Sequence, residues 1–115
     1  MPDQDTFLKS ENFDVAANAN GVVPLEVTLD RDYQKVGGIT LYNRGAHTNY
    51  QVGFRPKRGK RYADIVPFEH YEKTATERFV EVDFPVGNDP MTVEVSIDVP
   101  SADAINFILV FALTK

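Results

Sequence analysis

The sequence predicts an all-β fold: a single-domain antiparallel β-sandwich of about eight strands covering residues 1–115. Three observations predict it. Apolar residues recur at every second position in run after run, the period of a strand with one face on a core. The runs are short, spaced by roughly 8–14 residues, and bounded by Gly, Pro, Asn and Asp, which is the punctuation of a sandwich. Helical signals are poor, and no segment carries a sustained apolar stripe. A chain of 115 residues suits one domain and is too short for two ordinary ones.

Short strands are expected near residues 6–9 and 12–16, and the polar turn from Asn18 to Gly21 follows them. The strand near 23–29 places Leu25, Val27 and Leu29 on one face and Glu26 and Thr28 on the other, and Asp30-Arg31-Asp32 ends it. The strand near 36–43 sets Ile39 and Leu41 inward, and Asn43-Arg44-Gly45 looks like a hairpin turn, because Gly45 can take a positive φ. Tyr50, Val52 and Phe54 alternate with Gln51 and Gly53 near 49–55, with a short extra strand around 63–68. Residues 68–78 are the one stretch with helical character, a short turn bearing Glu69, Glu72 and Lys73. Near 78–84, Val80, Val82 and Phe84 face one way. Gly87-Asn88-Asp89-Pro90 is a strong turn. The clearest amphipathic strand follows near 91–99, with Met91, Val93, Val95, Ile97 and Val99 on the core side. After Pro100-Ser101-Ala102-Asp103, the final strand near 105–113 is apolar on both faces. Such a strand is expected to be covered on one side by its own sandwich and on the other by a neighbour or partner. Strand number and the lack of a Cys–Trp–Cys core favour a jelly roll over an immunoglobulin-like Greek key.

Composition narrows the function. Hydrophobic residues make up 43% and charged residues 25%, a globular balance that argues against disorder. The chain has no cysteine, which excludes disulfides, thiolate zinc sites, iron–sulfur clusters and cysteine nucleophiles. Met1-Pro2-Asp3-Gln4-Asp5 carries neither the basic nor the apolar region of a secretory signal. The longest strongly apolar run, residues 107–113, is far short of the roughly 20 residues of a membrane helix. A chain made in the cytoplasm, without a transmembrane segment, is expected.

Twelve Lys and Arg stand against seventeen Asp and Glu, for a net charge of −5. Five of those twelve lie in one acid-free segment: Arg55, Lys57, Arg58, Lys60 and Arg61. The rest of the chain has seven cations against the seventeen acids. An acidic body with one basic loop does not suit nucleic-acid binding over a whole face. It does suit a local contact with an acidic protein surface, a lipid headgroup or a nucleic-acid phosphate. The plainer alternative is a solvated loop tip.

Other chemistry has little material. A metal centre needs three or four convergent ligands, and His47 and His70 are the only histidines; both read as ordinary surface residues. Asp30 and Asp32, and Asp98 and Asp103, sit where turn-capping aspartates sit. Ser10, Ser96 and Ser101 are the only serines, none in a nucleophile elbow. No catalytic residue, metal site or cofactor is therefore expected, and the protein is read as non-enzymatic. Tyr33, Tyr42, Tyr50, Tyr62 and Tyr71 could instead form a platform for sugars or pack in the core. That leaves a carbohydrate- or receptor-binding module as the alternative to a structural role.

The stretch Val36-Gly37-Gly38-Ile39-Thr40-Leu41-Tyr42 follows the loop Leu29-Asp30-Arg31-Asp32-Tyr33, and Tyr50-Gln51-Val52-Gly53-Phe54-Arg55 and Phe107-Ile108-Leu109-Val110-Phe111-Ala112-Leu113 come after it. In strand spacing and chain length this organisation resembles the small single jelly-roll structural proteins of viruses, especially the penton or vertex proteins of tailless, membrane-containing phages. The resemblance implies a virion component without catalysis, a homo-oligomer (a pentamer for a penton) and contacts with neighbouring capsid proteins. It transfers no functional residue.

Overall fold

The computed structural model describes residues 7–72, 79–87 and 89–115. Its strands are β1 (Phe7–Val15), β2 (Gly21–Val27), β3 (Lys35–Asn43), β4 (Gln51–Arg55), β5 (Ala63–Pro67), β6 (Val80–Pro85), β7 (Met91–Ile97) and β8 (Ile105–Thr114). They form two four-stranded sheets, in the orders β1-β8-β3-β6 and β2-β7-β4-β5. All pairings are antiparallel. Among the pairings, β1 lies beside β8, β2 beside β7, β3 beside β6, and β4 beside β5. Each connection crosses from one sheet to the other except β4–β5, which stays within its sheet as a hairpin.

The core lies between the sheets, where alternate residues of every strand meet. Ile39, Leu41, Val52, Phe54, Val93, Val95, Ile97, Phe107, Leu109 and Phe111 are fully or almost fully buried. At one end of the core Tyr50 stacks on Phe68 at 4.4 Å and on Phe107 at 5.6 Å. At the other, Phe54 meets Phe84 at 5.6 Å and Phe111 at 6.5 Å. Offset and edge contacts of this kind add to the gain from burial.

Several expectations change. The separate strands near 6–9 and 12–16 are one strand, because the ladder to β8 runs unbroken from Phe7↔Leu113 to Val15↔Ile105. Ser10 and Glu11 interrupt the apolar pattern but not the backbone pairing, and Glu11 pairs with Lys9 at 3.3 Å. Residue 6 lies outside the described residues. The short extra strand expected around 63–68 is present as the five-residue β5. A single 3-10 turn, Phe68–Tyr71, stands where helical character was expected; residues 73–78 lie outside the described residues. Gly45 does not make a hairpin, since β3 and β4 lie in different sheets, and it does not take a positive φ. It is there for space: a Cβ would sit 3.0 Å from the Ala104 carbonyl oxygen and the Asn106 nitrogen. His47 is buried, its Nδ1 accepting the Asn49 N–H at 3.1 Å. The strand near 91–99 stops at Ile97, so Val99 falls outside the core and is 60% exposed.

The final strand buries Ile105, Phe107, Leu109, Phe111 and Leu113 inward. Its outward residues Ile108, Val110 and Ala112 are half-buried, between Leu8 on β1 and Tyr42 on β3, both largely exposed. No helix among the described residues is long and apolar enough to cross a membrane.

Candidate interaction site at the basic end of the sandwich

The basic segment is the tip of the β4–β5 hairpin. Pro56 lacks an N–H and ends the ladder after Arg55, and Gly59 turns the chain at φ 107°. The Tyr62 N–H then donates to the Phe54 carbonyl at 2.8 Å and closes the loop. The five cations do not act alike. Arg61 Nε donates to Glu94 Oε1 at 2.7 Å, and its Nη1 lies 3.4 Å from Asp64 Oδ1. Arg55 Nη1 lies 3.7 Å from Glu94 Oε2. Glu94 stands on the outer face of β7, opposite Gly53 of β4, and is almost fully buried. Its hydrogen bond, and then its charge, hold the Arg61 guanidinium above its ordinary pKa. Arg55 and Arg61 thus tie the base of the hairpin to the sheet. Lys57, Arg58 and Lys60 are exposed, and among the described residues no carboxylate lies within ion-pair distance of them.

Beneath the tip is a cavity of about 170 Å³. Its lining is mixed: Leu29, Pro85, Pro90 and Met91 are apolar, Tyr62 carries a phenol, and Lys57, Arg58 and Asp89 are charged. Tyr62 is held there by stacking on Phe84 at 5.3 Å. The cavity therefore gathers the loop after β2, the β4–β5 tip and the β6–β7 turn at one end of the sandwich. The Val86 N–H joins two of these segments by donating to the Gln34 carbonyl at 2.8 Å.

No family model, curated protein or solved structure matches this chain. The site has to be read from its own geometry.

Charge separates along the strands. At the cavity end, loops 28–34, 56–62 and 86–90 hold Arg31, Lys57, Arg58, Lys60 and Arg61 against Asp30, Asp32 and Asp89. The opposite end comprises loops 16–20, 44–50 and 98–104 and the segment 68–72. Its described residues hold Glu69, Glu72, Asp98 and Asp103 against Arg44. Loop 98–104 is braced by the Asn18 N–H, which donates to the Ser101 carbonyl at 2.7 Å, and by the Asp103 N–H on Ser101 Oγ at 3.1 Å.

Among the other candidates, Tyr50 and Tyr71 are buried, Tyr33 and Tyr62 pack partly against the core, and Tyr42 is the one largely exposed tyrosine. The five do not share a platform. Burial, with Glu72 and Glu69 nearby, raises the Tyr50 phenol well above its ordinary pKa. The sequence reading missed Glu94, the cavity and the exposed Val99. Glu94 gave only one signal, a lone acid on the polar side of β7, and its pairing across to β4 needs the sheet register.

Proposed function

We propose that this protein is a non-enzymatic structural assembly protein, a virion component of the capsid vertex or penton type, which works through contacts between its own copies and with neighbouring subunits. The observation that carries the reading is the separation of charge between the two ends of the sandwich. A basic tip at one end and acidic loops at the other make a self-complementary pair of surfaces. These surfaces are different, so their contact is heterologous and builds rings where it closes. Opposite potentials steer such a contact and fix its register.

The strand orders support a jelly roll. Pairing of β1 with β8, β2 with β7, β3 with β6 and β4 with β5 is what rolling one long hairpin into two four-stranded sheets produces. Fold alone does not assign function, so the assembly role rests on the surface. The half-exposed apolar row of Ile108, Val110 and Ala112, with Leu8 and Tyr42 beside it, agrees with a surface that meets other subunits.

Reversing Arg58 and Lys60 to Glu tests the reading. The double variant leaves the Arg61–Glu94 tether intact and is expected to dissociate the oligomer at physiological salt. An oligomer that survives unchanged would overturn the charge-mediated mechanism.

A further inference from the structure

We propose that Val99 of one copy seats in the cavity beneath Lys57 and Arg58 of the next, with Asp98 and Asp103 facing those two cations. This deepens the assembly reading and rests on it. Val99 is the most exposed large apolar residue among the described residues, at 60%. It projects because β7 ends at Ile97 and the chain bends through Asp98 and Val99 into Pro100. The loop is already ordered by the Asn18–Ser101 and Asp103–Ser101 hydrogen bonds. Binding therefore immobilises little that is not immobile already.

The cavity matches in size and in chemistry. At about 170 Å³ it is smaller than the roughly 300 Å³ at which small-molecule pockets begin. It is close to the ~150 Å³ of a cavity that takes one benzene-sized group, enough for one apolar side chain and part of its neighbour. Leu29, Pro90 and Met91 offer apolar contact to Val99 and Pro100, and Lys57 and Arg58 outnumber Asp89 among the charged lining residues, so a net positive edge meets the flanking aspartates. Among the described residues Lys57 and Arg58 have no carboxylate within ion-pair distance, and Asp98 and Asp103 have no cation within it.

The partner has to be a second copy. The seven-residue strand β7 separates Met91 in the cavity wall from Asp98 and Val99. That is about 23 Å of extended chain at 3.3 Å per residue, so loop 98–104 cannot fold back onto its own cavity.

The absence of native cysteine makes cross-linking a clean test. A disulfide needs Cα atoms within about 7 Å, so a Val99→Cys/Lys57→Cys variant can bridge only between molecules. Under mild oxidation it is expected to form ladders of covalent oligomers, while either single variant does not. Separately, Lys57→Asp/Arg58→Asp is expected to weaken association by at least about tenfold, and adding Asp98→Lys/Asp103→Lys to that variant is expected to restore it. Wild-type oligomers whose double-cysteine variant forms no ladder, or whose charge swap restores nothing, would overturn this contact and leave the assembly reading standing. A wild-type monomer at every concentration would overturn both. If Lys57→Asp/Arg58→Asp assembles normally but loses binding to a single-stranded oligonucleotide, the cavity end belongs to nucleic acid and the proposal fails.

Discussion

Gly53→Ala is a one-atom test of how the basic hairpin is anchored. Gly53 lies on β4 opposite Glu94 of β7, and on its other side the β4–β5 ladder shifts register between Val52 and Phe54. That shift brings Ile65 across the glycine. A Cβ at position 53 would lie 2.7 Å from Ile65 Cγ1 and 3.2 Å from the Ile65 Cα and nitrogen. Carbon contacts are comfortable at about 3.5–4.0 Å, so the added methyl is nearly 1 Å too close, and the atoms in the way include backbone. Two effects oppose each other. Alanine restricts the unfolded chain and stabilises by about 0.4–1 kcal/mol. Overpacking costs about 1–3 kcal/mol. The second is larger, and a net loss of about 1–2 kcal/mol is expected. Urea denaturation followed by circular dichroism reads it as a lower midpoint at unchanged slope. Combining the change with Ile65→Ala removes the 2.7 Å contact but leaves those to the backbone, so part of the loss should return, with a coupling of about 0.5 kcal/mol or more. A Gly53→Ala protein as stable as wild type, with no coupling to Ile65→Ala, would refute this packing argument.

Other consequences follow from the same structure. Glu94→Gln removes the charge that holds Arg55 and Arg61, so trypsin should cut at Lys57, Arg58 and Lys60 severalfold faster; an unchanged rate would mean that Glu94 does not tether the loop. Thr40 is buried on β3, and its hydroxyl has no hydrogen-bond partner among the described residues, so Thr40→Val should stabilise by about 1 kcal/mol, read as a higher urea midpoint. The Tyr50 hydroxyl donates to Asn43 Oδ1 at 2.9 Å and is raised by burial and by Glu72 and Glu69. The native state therefore keeps a proton that the unfolded chain releases, and stability should fall as pH rises past about 10. Tyr50→Phe should lessen that alkaline loss, with a remainder from Tyr71, whose phenol burial also raises; denaturation midpoints at about pH 8 and pH 11 measure both.

Much of the fold was legible because a sandwich strand writes its burial into alternate positions. Ile39 and Leu41, Tyr50, Val52 and Phe54, and Met91, Val93, Val95 and Ile97 all face the core as their period requires. The period misled where backbone pairing or chain direction decided instead. β1 looked broken at Ser10 and Glu11, yet its ladder to β8 is continuous. Val99 had the right parity for the core, but β7 had already ended. The five cations of the tip were visible as one segment. Their division into anchors and exposed charges was not, because the deciding carboxylate, Glu94, lies 33 residues from Arg61 in sequence. The cavity was invisible for the same reason, since its walls come from three separate connections.

The most direct test of assembly through opposite charges is the absolute mass of the wild-type protein in solution, by light scattering at low and at high salt. Screening lengths fall from about 10 Å at 0.1 M to about 3 Å at 1 M, enough to weaken a contact between exposed charges. A discrete oligomer at low salt that loosens at high salt is the predicted result. A monomer at both salts, or an oligomer indifferent to salt, would contradict it.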